Sequence, residues 1–395
     1  MNRRTPDRNR TEQIARWLIA DARLSLEPLP LIDGFCRRLI RLGVPLWRLR
    51  AGQRLANPLA SAWGVIWTRD GSGTHEYVVP RAVLSTDSFY GSPFEYVVGN
   101  RRSFRRRLTD LRPEHDHQVL HEMAAEGGTD YLALPLEYGD GSVQGLSLVA
   151  DGQAGFADRH LEIIEELRHP LAAALEPTAM RRSTASLLRT YLGDGPADAV
   201  LAGAIMRGDR RRIEAAILFC DLCDFTSMSG RLSEAALFAA LDRYFEAVVE
   251  AVQHEGGDVL KFLGDGILAI FPVEEAGSHA IACQAAVRAV ERARVVVTSG
   301  GAHDGPALAF TAALHLGDVA YGNIGSPERL DFTVLGPAVN LVSRLAALAK
   351  QQNRGVLCSA AFAAALRAQV RSLGRFPLRG FTGEQQVFEP ILSYS

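Results

Sequence analysis

The chain has 395 residues, 43 of them basic and 45 acidic, for a formal net charge of −2 at pH 7. That length suggests two or three domains, and 47% hydrophobic with 22% charged residues gives each an ordinary core. The even charge balance excludes a dedicated nucleic-acid binder, which shows a basic excess. No apolar run approaches a membrane span, and no signal-peptide core follows the basic start MNRRTPDRNR, so a cytoplasmic protein away from the membrane is expected.

The N-terminal region reads as mixed α/β. Residues 11–26 and 29–42 carry apolar residues at helical spacing, Ile14, Trp17 and Leu18, then Leu31, Phe35 and Leu39. Strand-like runs follow at ASAWGVIWT and HEYVVP, and a clearer pair at TDYLALPLEY and SVQGLSLVA is joined by the hairpin signal GDGS. RRSFRRRL places five arginines within residues 101–108, which by default reads as a solvated basic loop. His115, His117 and His121 lie close together, with the last two at helical i, i+4 spacing, but no matching carboxylate or cysteine set supports a metal there.

A long helical pattern starts near Asp158 with the stripe Leu161, Ile164, Leu167, Leu171 and Leu175, and Pro170 and Pro177 are expected to kink or divide it. The segment ALPLEYGDGSVQGLSLVADGQAGFADRHLEIIEEL resembles a GAF-type sensor domain, covering residues 1–177; an unrelated α/β dimerisation module is the alternative. The resemblance implies an unidentified small-molecule or protein signal. Residues 178–209 then read as a signalling helix or linker, broken at Gly193, Gly195 and Pro196.

From residue 210 to 395 the pattern becomes specific. AAILFCD is a continuously apolar strand, as expected for one covered on both faces, and it ends on Asp221. Ser233 is placed to cap a helix with Leu237, Leu241, Phe245, Val248 and Val252 on one face, ending at Gly256-Gly257. DVLKFLGDGILAIFP reads as a tight hairpin with Asp265 at its tip. If that hairpin lies beside the first strand, Asp221 and Asp265 share one sheet edge, where two acids repel unless a cation stands between them. Hard divalent cations that keep room for phosphates suit such a pair. Pro337 suits a first helical turn, and Asn340 with Arg344 shares one helix face rich in donors, which taken alone also fits a solvated face. Cys220 and Cys223 form a lone C-x-x-C without a second ligand pair and read as packing, and the scattered odd set with Cys36, Cys283 and Cys358 fits a reducing compartment.

The strings FCDLCDFTSMS, LKFLGDGILAIF and GNIGSPERLDFTVLGPAVNLVSRL, in this order and spacing, resemble the catalytic domain of class III nucleotidyl cyclases. The resemblance implies an α+β, ferredoxin-like (βαββαβ) domain behind an α/β sensor. It implies that Asp221, Asp265 and the Leu222 carbonyl hold two Mg²⁺ or Mn²⁺ ions. Lys261 and Thr333 fall on the base-reading positions and favour ATP over GTP, Asn340 and Arg344 on those that orient the ribose and stabilise the reacting phosphate, and the backbone of Phe225 and Thr226 would cradle the triphosphate. It implies a homodimer with shared active sites. Asp224 stands where the family carries glycine, which puts nucleotide affinity in question, and no side chain stands out as general base. Guanylyl cyclase, diguanylate synthesis and a nucleotide-binding pseudoenzyme are the rival readings.

Overall fold

A computed structural model describes residues 4–25, 27–299 and 308–392 of the chain, so the two outermost ends of the expected domains lie outside the described residues. The chain divides into two compact units, residues 1–190 and 191–395.

The first unit contains helices α1 (Arg4–Ala20) and α2 (Pro28–Arg41), then strands β1 (Leu46–Arg54), β2 (Ala60–Thr68) and β3 (His75–Pro80). Helix α3 (Pro93–Asn100), strand β4 (Phe104–Arg107) and helix α4 (Gln118–Ala125) precede the hairpin β5 (Asp130–Glu137) and β6 (Val143–Ala150). The six strands form one sheet in the order β3-β2-β1-β6-β5-β4. One core joins Leu18, Phe35, Leu49, Trp67, Leu148 and Leu171, and a smaller one joins Val97, Leu120, Met123, Tyr131 and Val149.

Helix α5 (Asp158–Leu192) runs on through Pro170 and Pro177 where a break is expected. Each proline removes one helical hydrogen bond, a cost of about 3 kcal/mol. Around them Leu167, Leu171, Ala174, Leu175, Thr178 and Ala179 are buried, and that packing keeps the helix undivided. Position 177 therefore lies mid-helix.

The arginine run is a solvated loop only in its first part: Arg101 and Arg102 are exposed outside any strand, while Arg105, Arg106 and Arg107 belong to β4. Arg105 and Arg107 both bond the fully buried carboxylate of Asp130, at 2.7 and 3.3 Å, and Arg106 bonds Asp116 at 2.8 Å. His117 is the N-cap of α4 rather than a residue within it, and its ring nitrogen accepts from the Val119 amide, so it does not share a helix face with His121. No cluster of three or more metal-ligating side chains occurs among the described residues, and none of their helices is long and apolar enough to cross a membrane.

The second unit opens with α6 (Asp194–Leu201), set off from α5 by Gly193 at φ 88°. It continues with β7 (Arg210–Leu222), α7 (Phe225–Ser229), α8 (Glu234–His254), β8 (Asp258–Leu263), β9 (Gly266–Pro272), α9 (Val273–Ala276), α10 (His279–Ser299) and β10 (Phe310–Gly325). Then come β11 (Leu330–Leu335), α11 (Pro337–Gln351), β12 (Val356–Ser359), α12 (Ala360–Ala365), β13 (Val370–Pro377) and β14 (Glu384–Pro390). The elements β7-α8-β8-β9-α10-β10 follow the expected βαββαβ course, with β10-β7-β9-β8 adjacent and antiparallel. Side chains alternate along β7: Ala216, Leu218 and Cys220 pack with α8 and α10, while Ala215 and Ile217 pack with α11. Both faces are covered, which explains the unbroken apolar run.

The loop leading into α4 is pinned by Asp116, whose carboxyl is held down at about 2 by the Arg106 guanidinium and the Arg112 amide. A folded value below the ordinary 3.8 means that this stabilisation is complete above 3.8 and is lost as pH falls through about 2. Discounted for solvent screening of a pair near the surface, Asp116→Asn should therefore cost about 1 kcal/mol at neutral pH, and the gap from the parent protein should close on acidification. Urea unfolding across that pH range measures it; a gap independent of pH would contradict the assignment.

Candidate active site

Asp221 is delivered by the central strand of the second unit. In register it faces Gly266 of β9 on one side and Thr311 of β10 on the other. Asp265 immediately precedes Gly266, in a turn that needs Gly264 at φ 68°. The strand end and the turn thus bring the two carboxylates side by side, as the sequence suggests. Both side chains are about four-fifths buried, at 22% and 21% exposure.

A third residue, absent from the sequence reading, completes the cluster. Lys350, in the last turn of α11, places Nζ 2.6 Å from Asp221 Oδ2 and 3.9 Å from Asp265 Oδ2. Burial, then the facing Asp221 carboxylate, raises the Asp265 carboxyl above its ordinary value, and Lys350 opposes that rise. Two largely buried acids with one ammonium between them form a place where positive charge is demanded, and the ammonium stands in for a cation there. The donor set of two carboxylates and the neighbouring Leu222 carbonyl fits hard divalent ions, which take oxygen ligands and leave positions for water and phosphate.

Past Leu222 the chain turns at Asp224, with φ 56° and ψ 20°. This is the left-handed region that glycine enters freely and that aspartate tolerates better than most residues. Asp224 is exposed and its side chain makes no capping bond to α7. Phe225 and Thr226 form the first turn of α7 directly after it.

Lys261 on β8 is bound by Asp331 of β11. Asp331 stands two residues before Thr333, on the same side of an extended strand, and this alternation was the signal for it in the sequence. Thr333 itself is buried at 4% exposure and pairs in register with Gly322. Asn340 and Arg344 both lie exposed on α11, four residues apart. Among the described residues no hydrogen bond or ion pair joins them to Asp221, Asp265 or Lys261. One chain therefore assembles two groups, the carboxylates with Lys350 and Lys261 with Asp331, and leaves Asn340 and Arg344 facing outward.

Cys220 is fully buried and burial pushes its thiol well up, while Cys223 is half-buried and raised for the same reason. Neither is poised as a thiolate, in keeping with a packing role.

Residues 209–389 match the family described as the adenylate and guanylate cyclase catalytic domain. The chain is 30% identical over 184 residues to adenylate cyclase 1 of Rhizobium meliloti, covering 46% of this chain and 28% of that protein. It is 34% identical over 144 residues to an adenylate cyclase of Anabaena cylindrica, covering 36% of this chain and 28% of that one. The chain thus spans under a third of the length of these relatives. Among solved structures, the adenylyl cyclase CyaB from P. aeruginosa aligns at 23% identity and a TM-score of 0.41, over 47% of this chain and 96% of that one.

If Lys350 and a divalent ion contend for the same carboxylates, removing the ammonium favours the ion. Lys350→Met should bind Mn²⁺ about three- to tenfold more tightly, read directly by electron paramagnetic resonance of free Mn²⁺, since each tenfold corresponds to about 1.4 kcal/mol of displaced pairing. Unchanged or weaker Mn²⁺ binding would show that the ammonium does not occupy the cation's place.

Proposed function

We propose, from the match of residues 209–389 to the adenylate and guanylate cyclase catalytic domain family, that the chain converts ATP to 3′,5′-cyclic AMP and pyrophosphate at sites shared by two copies of itself. The observation that carries the reading is the Asp221–Asp265 pair with a cation already drawn between its oxygens. Bound there, two Mg²⁺ or Mn²⁺ ions would acidify the ribose 3′-hydroxyl and neutralise the leaving pyrophosphate.

The remaining roles belong to the chain's own side chains. Asp221, Asp265 and the Leu222 carbonyl hold the ions. Lys261, oriented by Asp331, donates to adenine N1, an acceptor where guanine carries a donor; Thr333 lies on the same strand face as Asp331. The backbone of Phe225 and Thr226 meets the triphosphate. Asn340 positions the ribose, and Arg344 supplies positive charge where negative charge grows on the reacting phosphate.

The shared site is supported by the geometry of α11. Lys350 reaches the carboxylates of its own chain, and Arg344 sits six residues earlier, about 9 Å back along the axis and some 120° around it. An arginine so placed serves a neighbour's carboxylates better than its own. A two-fold dimer then contains two equivalent composite sites. The first unit is assigned the control of this activity, with α5 as the connecting element.

Turnover of ATP and GTP with Mg²⁺ and Mn²⁺ tests the reading. The parent chain should prefer ATP, and a folded Asp265→Ala protein should lose at least about a hundredfold in rate, since it lacks a ligand and not a core contact. Preference for GTP would overturn the role of Lys261, and near-normal turnover in Asp265→Ala would overturn the metal site. Sharing is tested by co-expressing Asp221→Ala with Arg344→Ala chains, each inactive alone. With random pairing about half the dimers are mixed and half of their sites are whole, so about a quarter of parental activity should return. Mixed dimers that form but stay inactive would require each chain to build its own site.

A further inference from the structure

The first unit contains a cavity of about 410 Å³ on the face of its sheet that carries α3 and α4. That size suits a small organic molecule. Its floor depends on a row of glycines in register across three strands, with Gly52 of β1 facing Gly64 of β2 and Gly145 of β6. A Cβ on Gly145 would collide with the Phe94 ring, one on Gly52 would lie 2.9 Å from the same ring, and one on Gly64 would lie 2.6 Å from the Tyr77 hydroxyl. The bare backbone lets these two rings lie flat against the sheet and form an aromatic wall.

Between the rings stands Arg50. Its guanidinium carbon is 4.7 Å from the Tyr77 ring centre and 5.0 Å from that of Phe94, and Nε donates to the Tyr77 hydroxyl at 2.8 Å. Most neighbouring arginines of this unit have carboxylate partners: Arg48 has Glu126, Arg69 has Asp151, Arg105 and Arg107 have Asp130, and Arg182 has Glu76. Arg81, at the rim, is turned to the carbonyls of Asn57 and Pro58, and Arg54 is exposed. Arg50 is part-buried, and among the described residues no carboxylate pairs with it. A phenol and two π-faces compensate a desolvated guanidinium only in part. Ser147 lies opposite Arg50 in the β1–β6 register, and with the buried Tyr131 it adds neutral polar groups to the lining. Apolar side chains, among them Val79, Leu84, Phe89, Val119, Met123 and Val149, make most of the remaining wall, with Arg48, Arg54, Arg81, Gln53 and Gln144 also lining it.

We propose that this cavity is a binding site for a small organic monoanion, a carboxylate on a flat apolar or aromatic body, with Arg50 as the anion partner and Tyr77 and Phe94 as the stacking walls. Of the arginines that line the cavity, Arg54 and Arg81 are exposed and Arg48 is paired with Glu126, so Arg50 is the part-buried guanidinium left to match one negative charge, and a planar carboxylate accepts its forked donors where a compact dianion would keep a charge unpaired. The apolar majority of the lining selects against a small hydrophilic acid.

The test uses the full chain, 2-naphthoate as probe and 2-naphthamide as its neutral counterpart, with binding measured by calorimetry. The carboxylate should bind at least about tenfold more tightly than the amide, the range expected of one hydrogen-bonded charge pair. In Arg50→Gln, which keeps an amide donor and removes the charge, naphthoate should weaken at least about tenfold and the preference should vanish, while circular dichroism and the unfolding midpoint stay near the parent's. The comparison of the two probes on the parent protein needs no mutant and so survives a folding defect in Arg50→Gln. Equal binding of both probes, no binding of either at millimolar concentration, or a carboxylate preference that persists in Arg50→Gln would each overturn the assignment.

Discussion

Two carboxylates held side by side in a partly dry place repel each other, and the second unit is arranged around that repulsion. Asp221 and Asp265 cannot move apart, because one ends the central strand and the other stands in the turn of the hairpin bonded to it. The sheet fixes their separation, burial raises the cost of their charges, and the site must recruit positive charge. In the isolated chain Lys350 supplies it. The metal requirement of the proposed chemistry and the stability of the apo site are thus consequences of one arrangement.

The same accounting governs the first unit. Asp130 is wholly buried and is tolerated because Arg105, Arg107 and the Phe156 amide converge on it. The second half of the arginine run, read as a loop, is a strand in which each of Arg105, Arg106 and Arg107 has an acid to meet. Arg50 departs from this rule, and the departure falls in the cavity walled by Tyr77 and Phe94.

Much of the local structure around the candidate site was legible because it is built from local rules. Ser233 caps α8, Gly264 makes the hairpin turn, Pro337 opens α11, and the continuous apolar run of β7 announces a strand covered on both faces. What escaped was set by contacts distant in sequence. Lys350 lies more than a hundred positions from Asp221, and nothing around it marks it as a partner of the two acids. Asp331 is half legible, since strand alternation places it beside Thr333, but its bond to Lys261 appears only when β8 and β11 meet. In the first unit β1 was overlooked although Arg48, Arg50, Gly52 and Arg54 alternate with Leu49, Ala51 and Gln53; a charged face on a strand of a buried sheet looks like a loop until the cavity beneath it is known. Pro170 and Pro177 mislead in the opposite direction, because packing along α5 outweighs the local penalty.

The central claim is that the place between Asp221 and Asp265 belongs to a divalent cation that Lys350 vacates. Anomalous diffraction at the manganese edge, from crystals grown with Mn²⁺ and a non-cyclising ATP analogue, reads this directly. The account predicts a manganese peak bridging the two carboxylates, with the Lys350 ammonium withdrawn from Asp221. Manganese bound elsewhere, or Lys350 still paired with Asp221 while the nucleotide is in place, would contradict it.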